Sequence, residues 1–404
     1  MLCALQLSAA PLRKNIFAEY HILPDSSGVQ LSIVYRIGYD ALIFSKDGQQ
    51  YTAGFTITIE RSDSADKFIA RDIVEKRISV RTIEETKSEV TLQGILKYPF
   101  SGKKEKVLVS FHDASGSREI NRYHFQIDQH TGLSAYHDLL VVGPNADGNN
   151  SLLANYNGVI PFSQKPFSII VIADSAAKTK PFLRLQSKDT VFMLKRDTAF
   201  AAALGLDSTL DGIAVRYLAG TSGKYLCSVF SSANLNLLPG GYSLSLAEAD
   251  TVKNIRLSQA SVFWLDKPRS LDFQDFAYRI MNKIDNSFAE SPYYKKSGKT
   301  EPVEMLLLWK RYDPTPNTTF NERLAEFFKR VDYSLEHFAS IKGNDGAETD
   351  RGEMYIRLGP PASIERSTTR SGKIAEIWKY KGLNKEFVFV DLAGNGSFDL
   401  MEQK

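Results

Sequence analysis

The sequence predicts a multidomain, mainly β protein: two immunoglobulin-like antiparallel β-sandwiches, then an α+β domain of helices and an antiparallel sheet. Three observations predict it. Short apolar–polar alternations between turn clusters fill the first 265 residues. Near residue 266 the apolar period changes from two to that of a helix. Strand patterns then return after residue 352. At 404 residues the chain exceeds one ordinary domain, and with 43% hydrophobic residues each part can bury a core.

Residues 1–16 open with MLCALQLSAA, an apolar run ending in small residues. It reads as the tail of a secretory signal whose basic start is missing, or else as a first strand; the cleavage-site pattern favours the signal. Residues 17–143 form the first expected sandwich. Val29–Tyr35 and Ala53–Glu60 alternate, and Lys46-Asp47-Gly48 and Asp113-Ala114-Ser115-Gly116 supply turns. The polar run Pro144–Ser151 reads as a linker; it lacks the spacing and closing glutamate of a calcium loop. Residues 152–265 form the second sandwich, with Phe167–Ala173 as a buried strand and Gly212–Leu218 as an alternating one. Leu238-Pro239-Gly240-Gly241 turns into the strand that follows. Gly220-Thr221-Ser222-Gly223-Lys224-Tyr225 superficially suggests a phosphate loop, but it lacks the spacer, the Ser/Thr after Lys and the following helix. A hairpin turn is expected there instead.

Residues 266–404 form the third domain. Phe273, Phe276, Ile280, Ile284 and Phe288 make one helical stripe, with Ser270 as the expected N-cap. A second helix is expected from Thr300 to Tyr312, with Pro302 in its first turn. A third opens on a capping box at Thr319–Glu322 and carries Leu324, Phe327, Phe328, Val331, Leu335 and Phe338. Strands are expected at Glu353–Leu358, Ile374–Tyr380 and Phe387–Asp391, the last turning through Ala393–Gly396 into Ser397–Leu400.

Composition excludes several functions. A net charge of +3 with no Lys/Arg block argues against nucleic acid. Two distant cysteines, Cys3 and Cys227, make neither a disulfide framework nor a metal site. No cofactor is expected, since HExxH, CxxC, GxSxG and GxGxxG motifs are all missing from the sequence. No apolar run reaches the ~18 residues of a membrane span.

Several separated motifs in the last 140 residues recur together in one family. The run Trp309-Lys310-Arg311-Tyr312-Asp313-Pro314-Thr315-Pro316-Asn317 resembles the tryptophan-arginine-DPTPG signature of the GWxTD-domain family. Asn321-Glu322, Phe328, Arg330-Val331 and Phe338 resemble the helix that follows it. Thr349-Asp350-Arg351-Gly352, Tyr355-Ile356 and Gly359-Pro360-Pro361 resemble the defining loop, strand and turn; Glu376-Ile377-Trp378, Tyr380 and Phe387–Asp391 complete the likeness. The family's eponymous tryptophan is Ala347 here. The resemblance implies a bacterial, exported protein, and the family as a whole has no assigned activity.

The candidate catalytic residues are Asp313, Asp350 and Arg351, with Glu322 and His337 weighed beside them, because paired carboxylates can perform acid–base hydrolysis. Each has a structural alternative. Asp313 can close an Asx-turn before Pro314, Glu322 can return a capping-box bond, and His337 can be a polar neighbour of the core. Asp350 can hold loop amides and Arg351 can pair with a carboxylate. The candidate binding residues are Trp309, Arg311, Asp313, Asp350, Arg351 and Trp378; no metal ligands are expected. The reading is a non-catalytic binding or structural protein of the bacterial cell envelope, in the periplasm or at the cell surface. It would contact envelope protein partners or, secondarily, glycan, without nucleic acid and without a membrane span. The alternative is a hydrolase acting on a glycan or peptide through carboxylates of the C-terminal domain.

Overall fold

The computed structural model describes residues 16–403 apart from 26–27, 88–89, 115, 117, 128–138, 145–149, 155–158, 178–179, 210–211, 219–222, 249–254, 285–301 and 340–344. The expected signal segment, Cys3 and Phe288 therefore lie outside the described residues. The chain divides into two units, Met1–Leu265 and Asp266–Lys404.

In chain order the first unit contains β1 (Ile16–Asp25), β2 (Gly28–Gly38), β3 (Ser45–Asp47), β4 (Gln50–Asp63), β5 (Phe68–Val80), β6 (Thr91–Pro99), β7 (Glu105–Asp113) and β8 (Glu119–Ile127). There follow β9 (Leu140–Pro144), β10 (Asn150–Leu153), β11 (Val159–Pro161), β12 (Ser168–Asp174), β13 (Phe182–Gln186) and β14 (Val191–Lys195). The last six are β15 (Thr198–Phe200), β16 (Ala203–Thr209), β17 (Gly212–Leu218), β18 (Tyr225–Phe230), β19 (Gly240–Ala247) and β20 (Ile255–Phe263). They build four sheets. One is β1-β2-β6; a second runs β3-β4-β7-β8, with β5 also on β4. A third runs β15-β18-β12-β9-β10-β17-β16 and a fourth β11-β20-β19-β13-β14. Short alternating strands joined by turns favour antiparallel pairing; the short β11 is the exception, lying parallel to β20.

The β1-β2-β6 sheet has a side in each of two apolar clusters. Leu31, Ile33, Tyr35 and Ile37 meet Phe55, Ile57, Val109 and Phe111 of the second sheet. Val34, on the opposite face of β2, joins Leu23 with Leu140, Ile170, Ile172, Leu206 and Cys227 in the other cluster. Residues 17–143 and 152–265, read from the sequence as two sandwiches, both lie in this one unit. Pro144 and Asn150, at the two ends of the expected linker, are paired across β9 and β10, neighbouring strands of one sheet; residues 145–149 lie outside the described residues. Residues 220–222 of the turn expected at Gly220–Tyr225 lie outside the described residues. The strands on either side of it, β17 and β18, are not neighbours in their sheet, so the expected hairpin pairing is not formed. Cys227 is buried, its thiol is pushed up to about 12 by burial, and Sγ donates to the Ala202 carbonyl at 3.1 Å. It is an inert thiol, as expected.

In the second unit α1 (Gln274–Ile284), α2 (Pro302–Trp309), α3 (Glu322–His337) and α4 (Asp350–Leu358) precede β21 (Ser363–Thr368), β22 (Ile374–Tyr380), β23 (Lys385–Val390) and β24 (Asp399–Gln403). The four strands pair in sequence order, all antiparallel. Phe338 from the end of α3 joins Trp378, Tyr380, Phe387 and Phe389 of the sheet in the core. Around α1 the expected stripe is rotated: Ala277, Tyr278, Ile280 and Met281 are buried, while Phe273 is exposed. The cause lies one turn earlier. Arg269 and Ser270 form a 3₁₀ turn whose amides donate to the Asp332 carboxylate of α3 at 2.6 and 2.9 Å. That contact sets the entry to α1, turns Phe273 outward and uses Ser270 before it can act as the N-cap.

Candidate functional site

The signature around Asp313 folds as a tight turn between α2 and α3. Asp313 Oδ1 accepts the Thr315 amide at 2.9 Å, an Asx-turn, and Oδ2 accepts Lys310 Nζ at 2.9 Å. The same ammonium donates to the carbonyls of Pro316 and Thr318 at 2.8 and 3.1 Å. Two prolines in the run fix the backbone that these bonds close. The Asp313 side chain is almost wholly shielded from solvent. Arg311 is exposed, with its guanidinium 4.6 Å from the Tyr312 ring centre. Trp309 is buried among Tyr312, Phe327 and Phe328.

The helix that follows is capped differently from expectation. Asn321, not Thr319, is the N-cap: its Oδ1 accepts the Leu324 amide at 3.0 Å, and its Nδ2 donates to the Trp309 carbonyl at 2.9 Å. One asparagine therefore starts α3 and ends α2. Glu322 becomes the first helical residue and accepts the Thr315 hydroxyl at 2.8 Å, so it ties the turn to the helix and makes no capping-box bond. His337 is exposed in the last turn of α3, stacked on Tyr333 at 3.9 Å between ring centres.

The segment expected as a strand at Glu353–Leu358 is α4. Thr349 is its N-cap, with Oγ1 accepting the Gly352 amide at 3.1 Å and donating to the Gly346 carbonyl at 2.8 Å. Asp350 and Glu353 lie in the first turn and Arg357 in the last, each suited to the helix dipole. The chain leaves through Gly359 at φ +81, whose amide bonds to the Tyr355 carbonyl. Two other glycines serve close approach. A Cβ on Gly346 would lie 2.0 Å from the Ser334 carbonyl oxygen, and one on Gly352 would lie 2.0 Å from that of Gly346. Ala347, at the position of the signature tryptophan, is fully buried between them.

Asp350 sits on the outside of α4 and accepts the Leu400 amide of β24 at 2.7 Å. Its neighbour Arg351 points inward. The guanidinium lies over Phe398 at 4.0 Å and near Phe338 at 5.2 Å. Nη1 donates to Glu376 at 3.3 Å and Nη2 to the Gly396 carbonyl at 3.2 Å. Glu376 also accepts Trp378 Nε1 and Arg366 Nε, each at 3.2 Å. Burial lowers the Arg351 pKa, and the Glu376 carboxylate opposes that shift. Asp391 holds the adjoining turn, accepting the amides of Gly394, Asn395 and Gly396 at 2.7, 3.1 and 2.9 Å. Burial raises its pKa, but those amides outweigh burial and leave it below the usual value.

The structure thus brings Arg351 and Trp378 together through Glu376, while Asp313, Glu322, Trp309 and Arg311 sit around the α2–α3 turn. Glu376 and Asp391 were missed as site residues. A glutamate in the apolar run Ile374–Tyr380 and an aspartate before Gly394 and Gly396 were the available signals. An open groove of about 450 Å³ lies elsewhere in the unit, lined by Phe273, Phe276, Asp332 and Leu335 among others. None of the candidate catalytic or binding residues lines it. Among the described residues no cluster of three His, Cys, Asp or Glu is placed to hold a metal ion. No helix among them is long and apolar enough to cross a membrane.

Fold and site together define a mainly β protein with a helix-plus-sheet C-terminal unit, built around a buried arginine–glutamate–tryptophan contact. The family model of the GWxTD domain matches residues 297–398, and the chain carries a C-terminal GWxTD domain. No curated protein compared with the chain matches it.

Proposed function

We propose that the protein is a non-catalytic binding or structural component of the bacterial cell envelope, contacting protein partners or, secondarily, glycan. One observation carries this reading. The charged groups a hydrolase would use hold the fold: Asp313 on the Thr315 amide, Asp350 on the Leu400 amide, Arg351 on the Glu376 carboxylate and the Gly396 carbonyl. The exposed Phe273 at the rim of the α1–α3 groove offers apolar surface to a protein partner. The extracytoplasmic location belongs to the same proposal and rests on the signal-like pattern of Leu2–Ala10.

Cross-linked capture from envelope fractions tests the reading, with wild type compared against Phe273→Asp and each variant also assayed on glycan and peptide substrates. The expected result is one set of envelope proteins enriched by wild type and lost with Phe273→Asp, without turnover of any substrate. Hydrolysis by wild type that Asp313→Asn or Asp350→Asn abolishes in a folded protein would favour the hydrolase.

A further inference from the structure

β5 is the long edge of the five-stranded sheet. Its 13-residue strand pairs with β4 along one side, broken by a bulge near its start, and among the described residues no strand pairs with the other. An unpaired edge presents a row of backbone donors and acceptors to any strand that can align with it. Edges are blunted by short length, proline, charges or a bulge; β5 is long and has no proline, and its charges and the bulge near its start restrict it to a partner that matches them. Phe68 and Ile73 are 67% and 58% exposed on it.

The order of its side chains selects the partner. Arg71, Ile73 and Glu75 lie on the face away from the core, opposite Glu60, Thr58 and Thr56 of β4. Asp72, Val74 and Lys76 lie on the other face, where Val74 packs against the apolar cluster. Opposed residues of an antiparallel pair share a face, so a second β5 that extends the sheet must be centred on a residue. Centred on Ile73, the two copies set Ile73 against Ile73 and Arg71 against Glu75 twice, with each Lys76 diagonal to Asp72 of the other. Moving the centre one residue back sets Asp72 against Asp72. Moving it one forward sets Arg71 against Arg77 twice. Opposite charges across a strand pair are favourable and like charges are not. We propose that β5 is a self-pairing edge, through which two copies of the chain associate antiparallel about Ile73 into one continuous sheet.

Sedimentation velocity of the full chain across a concentration series tests this, together with charge reversals at both positions. Wild type is expected to self-associate reversibly. Arg71→Glu and Glu75→Arg alone each turn two attractions into repulsions and should weaken association by about tenfold. The two variants mixed in equal amounts should associate as wild type does, because every opposed pair is then of opposite sign. The double variant Arg71→Glu/Glu75→Arg should also regain self-association. Arg71→Glu removes the Glu60–Arg71 pair, 3.3 Å apart within one copy. Ile73→Lys keeps that pair and should abolish association while leaving the melting curve in place. A wild type that stays monomeric throughout, or a mixture no more associated than its two components, would overturn the proposal.

Discussion

Arg351 is a buried cation whose charge is matched by one carboxylate, Glu376, at 3.3 Å. Removing one partner of such a pair leaves the other charge buried alone, which costs about 3–5 kcal/mol. Glu376→Gln is therefore expected to destabilise the second unit by about that amount in denaturant titration. Replacing both partners by apolar residues, as in Arg351→Met with Glu376→Leu, should recover part of the loss. A double variant no better than Glu376→Gln would count against the charge-burial account. Asp391 adds a pH dependence. Its folded pKa is depressed, so its contribution is present above the unfolded carboxylate value of about 4 and is lost as pH falls through the folded value. The gap in melting temperature between wild type and Asp391→Asn should be full at neutral pH and close on acidification below about 4. A gap independent of pH would contradict this. The pairing of Arg351 with a carboxylate was legible in the sequence as one of two readings, because a guanidinium held in a folded loop needs acceptors for its fixed fork of donors. Its partner was not, since Glu376 lies 25 residues away and only the packing of α4 on the sheet brings them together.

At the scale of elements, α4 shows where sequence reading fails. Met354, Ile356 and Leu358 alternate with Glu353, Tyr355 and Arg357, and six residues cannot separate a strand period from a helical one. The helix signals stood outside that window: Thr349 as cap, Asp350 in the first turn and Gly359-Pro360-Pro361 as the stop. Elsewhere longer patterns sufficed, as in α3 and the β22–β23 pair, whose positions match the periods read from the sequence. Gly352→Ala separates local preference from packing. Helix propensity alone predicts stabilisation by about 1 kcal/mol. The Cβ would lie 2.0 Å from the Gly346 carbonyl oxygen, so the structure predicts destabilisation, by about 1–3 kcal/mol. The sign of the change in a denaturant melt decides between them.

At the scale of the whole molecule, the β1-β2-β6 sheet is the feature sequence patterning could not supply. Alternation shows that a strand has an apolar face, but Leu31, Ile33 and Val34 serve different clusters from opposite sides of β2. A fragment ending at residue 143 would expose Leu23 and Val34, and is expected to aggregate where the fragment 1–265 stays soluble. A monomeric, cooperatively melting 1–143 fragment would contradict this. In the second unit, the residues resembling a catalytic set are the ones that hold the domain together. Thermal melts of Asp313→Asn, Asp350→Asn and Arg351→Gln in the full chain test this most directly. A lower melting temperature is expected in all three, with Arg351→Gln the most affected. Unchanged or raised melting temperatures would contradict it, because residues kept for chemistry are often released from strain when neutralised.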